Sequence, residues 1–467
     1  MNDWRQDMKN PILVPELRYL LRKKKLKILK SFMEDHHDKE IAEYLSMLRP
    51  DEIWRILDLV GIYQRAEIFS YMDMDVQVSM ISGAHKKNVK SLLLQMSHDD
   101  RADLFQHLDK VMADRLLLLL PTKDRADIIR LTSYQEETCG AIMTTDFATL
   151  LEDDIVEKAI KKIRREAPGK ETIYYIYVTD KEGRLIGFIS LRKLIISKTK
   201  NKISDIMKRD TIFAFADEDQ EKAANLIDEY DLIALPIVDR DEKLVGIITH
   251  DDAMDIIRDE QTEDMEKLMA ISGGVEEKSY MGISAFIHFR KRASWIVILA
   301  LLELLSGFII EGFRATLQNL IILAYYMPLL ISTGGNTGSQ SATMVLRAIA
   351  LNELSPKDTM GVIRKELAVS LMLSVCVAAI VCLRVFLMSH GSNDIPPALG
   401  LTRIAMMISL ALAIQVIWST VLGGIIPLVA TRIKIDPAVV SSPAIATLVD
   451  VGGVLIYFST AKLLLGI

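Results

Sequence analysis

The chain changes character about three-fifths of the way along. Residues 1–290 are rich in charge, and from Trp295 onward long apolar segments dominate. A membrane-spanning helix needs about 20 mostly apolar residues. Five segments meet that length, roughly 294–313, 318–346, 363–388, 401–430 and 443–465. The second and fourth exceed it, so they are expected to be tilted or broken. The pattern predicts a large soluble region followed by a helical membrane domain.

Polar residues stand inside the apolar segments at two places. STGGNTGSQS (332–341) follows the run LIILAYYMPLLI in the second segment. The bilayer core has no water to satisfy loosened backbone, so such a stretch belongs against protein or a water-filled path. Gly334, Gly335, Asn336, Gly338, Ser339 and Gln340 are expected to expose carbonyl and amide oxygens, ligands that suit hard cations such as Mg2+ and Ca2+. The competing reading is small-residue packing between helices. Asp450 lies in PAIATLVDVGGVLIYF in the last segment, with Gly452 and Gly453 beside it. An intramembrane carboxylate is costly and marks an ion or substrate path.

Charge sets the expected orientation. FRKR (289–292) precedes the first segment, Arg347, Lys357, Arg364 and Lys365 lie between the second and third, and Arg432 and Lys434 between the fourth and fifth. The loop MSHGSNDIPPALG carries neither Lys nor Arg. The positive-inside rule then predicts a cytoplasmic N-terminal region and a C-terminus outside. No secretory signal is read in MNDWRQDMKN. Three cysteines (Cys139, Cys376, Cys382) are too few for a disulfide framework, and a net charge of −6 does not suggest a nucleic-acid partner. No Gly-x-x-x-x-Gly-Lys-Ser/Thr loop and no nucleophile–base pattern points to an enzyme.

The soluble half contains two kinds of repeat. QRAEIF, DRADLF and DRADII start at 64, 100 and 124, separated by 36 and 24, both multiples of 12. They predict an all-helical region over about 15–130 built as stacked short helices. IYVTDKEGRLIGFISLRKLI (176–195) matches LPIVDRDEKLVGIITHDDAM (235–254) at an offset of 59, with Asp180 on Asp239 and Gly187 on Gly246. Each copy reads as strand, charged turn, strand and helix. This resembles a tandem pair of cystathionine β-synthase (CBS) domains, which implies adenine-nucleotide binding such as ATP. Thr249 and Asp252 of the second copy supply a hydroxyl and a carboxylate for a ribose. The first copy has Ser190 but Lys193 where the aspartate would fall.

HDDAMDIIRDEQTEDMEK (250–267) joins the two halves and carries eight acidic residues. Asp252, Asp255, Asp259, Glu263 and Glu266 recur at three- and four-residue steps, so a helix places them on one face. Two like charges about 4 Å apart repel by roughly 4 kcal/mol at an effective dielectric of 20. A solvated helix is the bland reading; a cation sensor is the functional one.

Together these features resemble the MgtE family of bacterial magnesium channels or transporters, most specifically in PLLISTGGNTGSQSATMVLRAIA (328–350) and IDPAVVSSPAIATLVDVGGVLIYF (435–458). The resemblance implies a multi-domain chain: a helical N domain (1–132), two CBS units (133–199 and 200–258), a connecting plug helix (251–280) and a five-helix transmembrane domain (285–467). It implies a homodimer in the bacterial inner membrane, with the ion path at the dimer interface. Asp450, the carbonyl of Ala446 and Asn336 would line the pore. Cytosolic Mg2+ would close it by binding Glu67, Asp99 and Asp103 of the N domain, Asp219, Glu221 and Asp231 of the second CBS unit, and Asp252, Asp255, Glu260, Glu263 and Asp264 of the plug helix. The alternatives are transport of another divalent cation, Co2+ or Mn2+, and a non-conducting membrane-anchored CBS sensor.

Overall fold

The computed structural model describes residues 13–272, 283–351, 353–389, 399–439 and 442–466. The end of the expected plug segment and most of the loop read as free of Lys and Arg lie outside the described residues. The chain divides into two compact units, Met1–Glu260 and Gln261–Ile467.

The first unit opens with ten short helices among the described residues. They are α1 (Leu13–Arg22), α2 (Leu26–Asp35), α3 (Asp38–Leu45), α4 (Pro50–Leu57) and α5 (Ile62–Ser70). Then come α6 (Met74–Gly83), α7 (Lys86–Leu93), α8 (His98–His107), α9 (Lys110–Leu117) and α10 (Thr122–Leu131). Most of them pack on the helix two places further along, α1 on α3, α3 on α5, α4 on α6, α5 on α7, α6 on α8 and α8 on α10. Their apolar faces share one core that includes Leu29, Ile41, Ile56, Phe69 and Leu104. The repeated Arg of the three matching motifs explains the periodicity. Arg65 donates to the Val60 carbonyl, Arg101 to Leu93 and Arg125 to Leu117, so each satisfies a carbonyl at or just past the end of the preceding helix.

The CBS-like pair follows. After α11 (Cys139–Ile142), β1 (Thr149–Leu151) and α12 (Val156–Glu166), the hairpin β2 (Tyr175–Thr179) and β3 (Leu185–Ser190) leads into α13 (Leu191–Ile196). The second copy runs β4 (Ala214–Phe215), α14 (Gln220–Glu229), β5 (Ala234–Val238) and β6 (Leu244–Thr249). Both sheets are three-stranded, with the first strand parallel to the second and the second antiparallel to the third. The offset of 59 is kept by both hairpins, including the bulge at Val178/Thr179 and at Ile237/Val238. The turns also match: Asp180 accepts from the amides of Glu182 and Arg184, and Asp239 from those of Asp241 and Lys243. These are Asx-type turns, which is why an aspartate recurs there.

α15 (His250–Leu268) is one uninterrupted helix that begins in the first unit and ends in the second. The second unit then holds α16 (Ala285–Gly312), α17 (Arg314–Asn319), α18 (Ile322–Ala350), α19 (Thr359–Ser389), α20 (Leu401–Arg432) and α21 (Ser442–Leu465). Among the described residues four of these, α16, α19, α20 and α21, are long and apolar enough to cross a membrane by length and composition. α18 has 29 residues but carries the polar stretch. The apolar window of α20 is 61% buried and that of α16 only 6%, so α20 is the hub and α16 the periphery. α18, α19 and α21 pack around α20.

Of the two possibilities for the long second segment, tilted or broken, a break at the polar stretch is not found. α18 runs unbroken through Pro328 and through the glycines, and the interruption falls earlier, between α17 and α18. Its carbonyls are therefore occupied by the helix's own ladder rather than loosened.

Candidate functional site

Within the membrane unit the glycines let three helices approach closely. A side chain at Gly334 or Gly453 would run into the Gln415 side chain of α20, one at Gly452 into Trp418, and one at Gly423 into the backbone of Gly338. Gly334 and Gly338 are thus packing contacts, and the expectation that they present oxygens to an ion is corrected. Gly335 faces elsewhere: a Cβ there would lie 3.8 Å from Ala446 Cβ and 3.8 Å from Asp450 Oδ1. Asp450 is half-buried, and its Oδ1 is buried with no hydrogen-bond partner among the described residues. Asn336 is exposed on α18, beside Gly335. Gln415, fully buried, donates to the Val449 carbonyl at 3.0 Å and so ties α20 to α21 one residue before Asp450. Sequence reasoning missed Gln415, because one amide in an apolar run carries no periodic signal.

The first unit gathers carboxylates from distant parts of the chain. Asp99 on α8, Glu171 before β2 and Asp252 on α15 act on one another. Burial, then the charges of Asp100, Asp252 and Glu171, hold the Asp99 carboxyl well above the usual range. Desolvation, then Asp252, Asp251 and other carboxylates, pushes Glu171 up to about 7. Desolvation, with Asp251 and Asp100 adding to it and the bond from Thr249 opposing it, pushes Asp252 up to about 6. One Asp99 oxygen is buried with no hydrogen-bond partner among the described residues. Glu67 on α5 is exposed, and desolvation with the charges of Asp100 and Asp38 raises its carboxyl. Asp103 lies one turn beyond Asp99 on α8 and is half-buried. Asp100 and Glu171 were not foreseen, and Asp251 only as one of the eight acids of the connecting segment.

The remaining sensor candidates fall into two groups. Asp219 caps α14 by accepting from the Glu221 amide at 2.8 Å, and both are exposed, as is Asp231 at the other end of that helix. Gln220 between them donates to Glu260 of α15 at 3.1 Å. Further along α15, Asp255 pairs with Arg258 at 2.7 Å. Lys267 bonds Glu263 at 2.9 Å and Asp436, in the loop after α20, at 2.8 Å. Desolvation lowers the Lys267 pKa, but those two carboxylates outweigh it and raise it overall. Desolvation, then Asp436, raises Asp264. Among the described residues no three His, Cys, Asp or Glu side chains close on a common point at which a metal could sit.

The nucleotide candidates keep the asymmetry expected of them. Thr249 Oγ1 donates to Asp252 at 2.5 Å in the second copy. In the first, Ser190 caps α13 by accepting from the Lys193 amide at 3.2 Å, with no carboxylate beside it.

Apolar helices packed around a half-buried carboxylate, in a chain whose first unit brings several acids together, define an integral membrane protein built to handle cations. A profile described as "Divalent cation transporter" matches residues 327–460, the "MgtE intracellular N domain" matches 36–137, and CBS domains match 139–197 and 203–259. The magnesium transporter MgtE of Thermus thermophilus is 34% identical over 97% of this chain and 98% of its own length. That of Bacillus subtilis is 29% identical over 91% of this chain and 88% of its own. The crystal structure of the cytosolic domain of the Mg2+ channel MgtE in complex with ATP is 32% identical, covers 52% of this chain and 99% of that one, and has a TM-score of 0.49. The chain belongs to the MgtE family.

Proposed function

We propose that the protein is a homodimeric conduit for Mg2+ uptake across the bacterial cell membrane, with its first unit in the cytoplasm and its C-terminus outside. Cytosolic Mg2+ closes it. The observation that carries this reading is Asp450: a carboxylate oxygen buried without a partner among the described residues, on a membrane helix, facing a glycine of α18. A membrane anchor has no use for such a group. Because Mg2+ gives up its waters reluctantly, Asp450, Asn336 and the Ala446 carbonyl would hold a hydrated ion.

Closure rests on the carboxylates of the first unit and α15. Asp99, Glu171 and Asp252 carry raised carboxyls, so together they resist ionisation while no cation lies between them. Moving a gate from 1:99 to 99:1 takes about 5.5 kcal/mol of differential binding. Several weak sites, drawing on Glu67, Asp103, Asp219, Glu221, Asp231, Asp255, Glu260, Glu263 and Asp264 as well, would supply that jointly. ATP bound at the CBS pair would use Thr249 and Asp252, so nucleotide and Mg2+ would share one carboxylate.

The test is Mg2+ flux into proteoliposomes under an imposed potential, which drives cations by about 2.3 kcal/mol per unit charge per 100 mV. Asp450→Ala should abolish flux in a protein that still folds, and Co2+ and Mn2+ should enter more slowly than Mg2+. Undiminished flux would remove Asp450 from the path. Faster Co2+ or Mn2+ would reassign the cargo.

A further inference from the structure

The membrane unit contains a cavity of about 630 Å3, apart from Asp450, between the second half of α18, the residues before α19, the first turns of α19, and α20. That volume falls among those of pockets that hold organic ligands, about 300–1,000 Å3. Charged residues line the end nearest the segment between the two helices: Arg347 and Lys365, both exposed and neither in an ion pair among the described residues, together with Glu353, Asp358 and Glu366. Further along α18 and α19 from that end the lining is more apolar, with Met344, Val369 and Leu373. Glu366 is half-buried and accepts a hydrogen bond from Ser341 at 2.8 Å.

The cavity lies where α18 ends and α19 begins, at a boundary of the spanning segments. Its apolar part reaches Leu373, itself exposed on α19 beside the exposed Met372. An occupant therefore has a polar end and a long apolar one. Both signs of charge meet the polar end. An anionic head would face Glu353 and Glu366, and a cationic one would face Arg347 and Lys365. A head carrying phosphate and ammonium side by side satisfies both. A primary ammonium donates hydrogen bonds to carboxylates, which a trimethylammonium cannot do.

We infer that this cavity binds a phospholipid with an ethanolamine head, the phosphate held by Arg347 and Lys365 and the ammonium by Glu366 and Glu353. Its acyl chains lie along α19. Ser341 and Thr337, which touch the same cavity, belong to the helix that carries Gly335, so the lipid braces the helix facing Asp450. This inference needs only the membrane location and holds whichever ion is carried.

The test uses the full chain, purified in detergent and supplied with equal mole fractions of dioleoyl phosphatidylethanolamine, phosphatidylcholine and phosphatidylglycerol. Retained lipid is read by native mass spectrometry and stability by thermal unfolding. The ethanolamine lipid should be retained preferentially and should raise the unfolding temperature most. Glu366→Gln keeps an oxygen for Ser341, so the fold survives. It should cut that preference roughly tenfold, the worth of one charge-assisted bond. The double change Arg347→Gln with Lys365→Gln should weaken retention of all three lipids. Equal retention by the wild-type chain, or retention favouring phosphatidylglycerol, would overturn the inference, as would an unaltered preference in Glu366→Gln. The wild-type comparison decides the matter alone if a variant does not fold.

Discussion

Asp252→Asn should stabilise the first unit when divalent cations are absent. Desolvation first, then neighbouring carboxylates, push the Asp252 carboxyl to about 6 from an ordinary 3.8. An acid whose folded pKa is raised binds its proton more tightly in the folded state. The penalty is absent below about 3.8, grows as pH rises through about 6, and is complete above that. Near pH 7 a shift of that size corresponds to about 3 kcal/mol. Asparagine removes the charge and keeps an oxygen for Thr249, so most of that penalty is relieved. At 2–4 °C per kcal/mol for a unit of about this size, the unfolding temperature should rise by roughly 6–12 °C in EDTA. Wild type should approach the variant when the pH is lowered from 7 to 5.5, or when millimolar Mg2+ is added. The variant should respond to neither change as strongly. Calorimetry of the full chain in detergent separates the transitions of the two units. An Asn variant that melts lower than wild type in EDTA, or gains as much from Mg2+, would refute the reasoning.

Other expectations concern packing, backbone and ion pairs. Gly423→Ala would place a Cβ 2.9 Å from the Gly338 carbonyl carbon, so α18 and α20 must separate, at about 1–3 kcal/mol; detergent-solubilised protein should unfold earlier, and an unchanged transition would contradict the contact. Glu242 has φ +61 where the matching position of the first copy is Gly183 at φ +85, so Glu242→Gly should stabilise the second copy by about 0.5–1 kcal/mol in urea unfolding. Lys267→Met breaks two partly exposed ion pairs worth about 1 kcal/mol together, and hydrogen exchange should quicken over 263–268 while 250–256 stays protected. Millimolar ATP should raise the unfolding temperature of the first unit if Thr249 and Asp252 hold a ribose, and Thr249→Val should remove the rise.

Periodic features are legible in the sequence itself. The offset of 59 located both hairpins, the Arg motifs located α5, α8 and α10, and apolar length located the long helices of the second unit. What escaped was anything carried by a single residue or by a meeting of distant ones. Asp100, Glu171 and Asp251 come together only through the fold. Asp436 lies at the start of IDPAVVSSPAIATLVDVGGVLIYF, yet nothing in its neighbourhood announces Lys267 as its partner. Two glycines of the polar stretch, Gly334 and Gly338, turn out to be packing contacts for a physical reason. Glycine breaks helices in water, but between membrane helices it serves as the smallest packing surface, and the two uses are indistinguishable in composition.

α15 is a single helix of 19 residues whose two ends meet opposite electrostatics. Its first turn carries Asp252, crowded by other carboxylates, and its last carries Lys267, matched by Glu263 and Asp436. Added salt screens both the repulsion at one end and the attraction at the other. Ionic strength should therefore ease the first turn of this helix while it loosens the last.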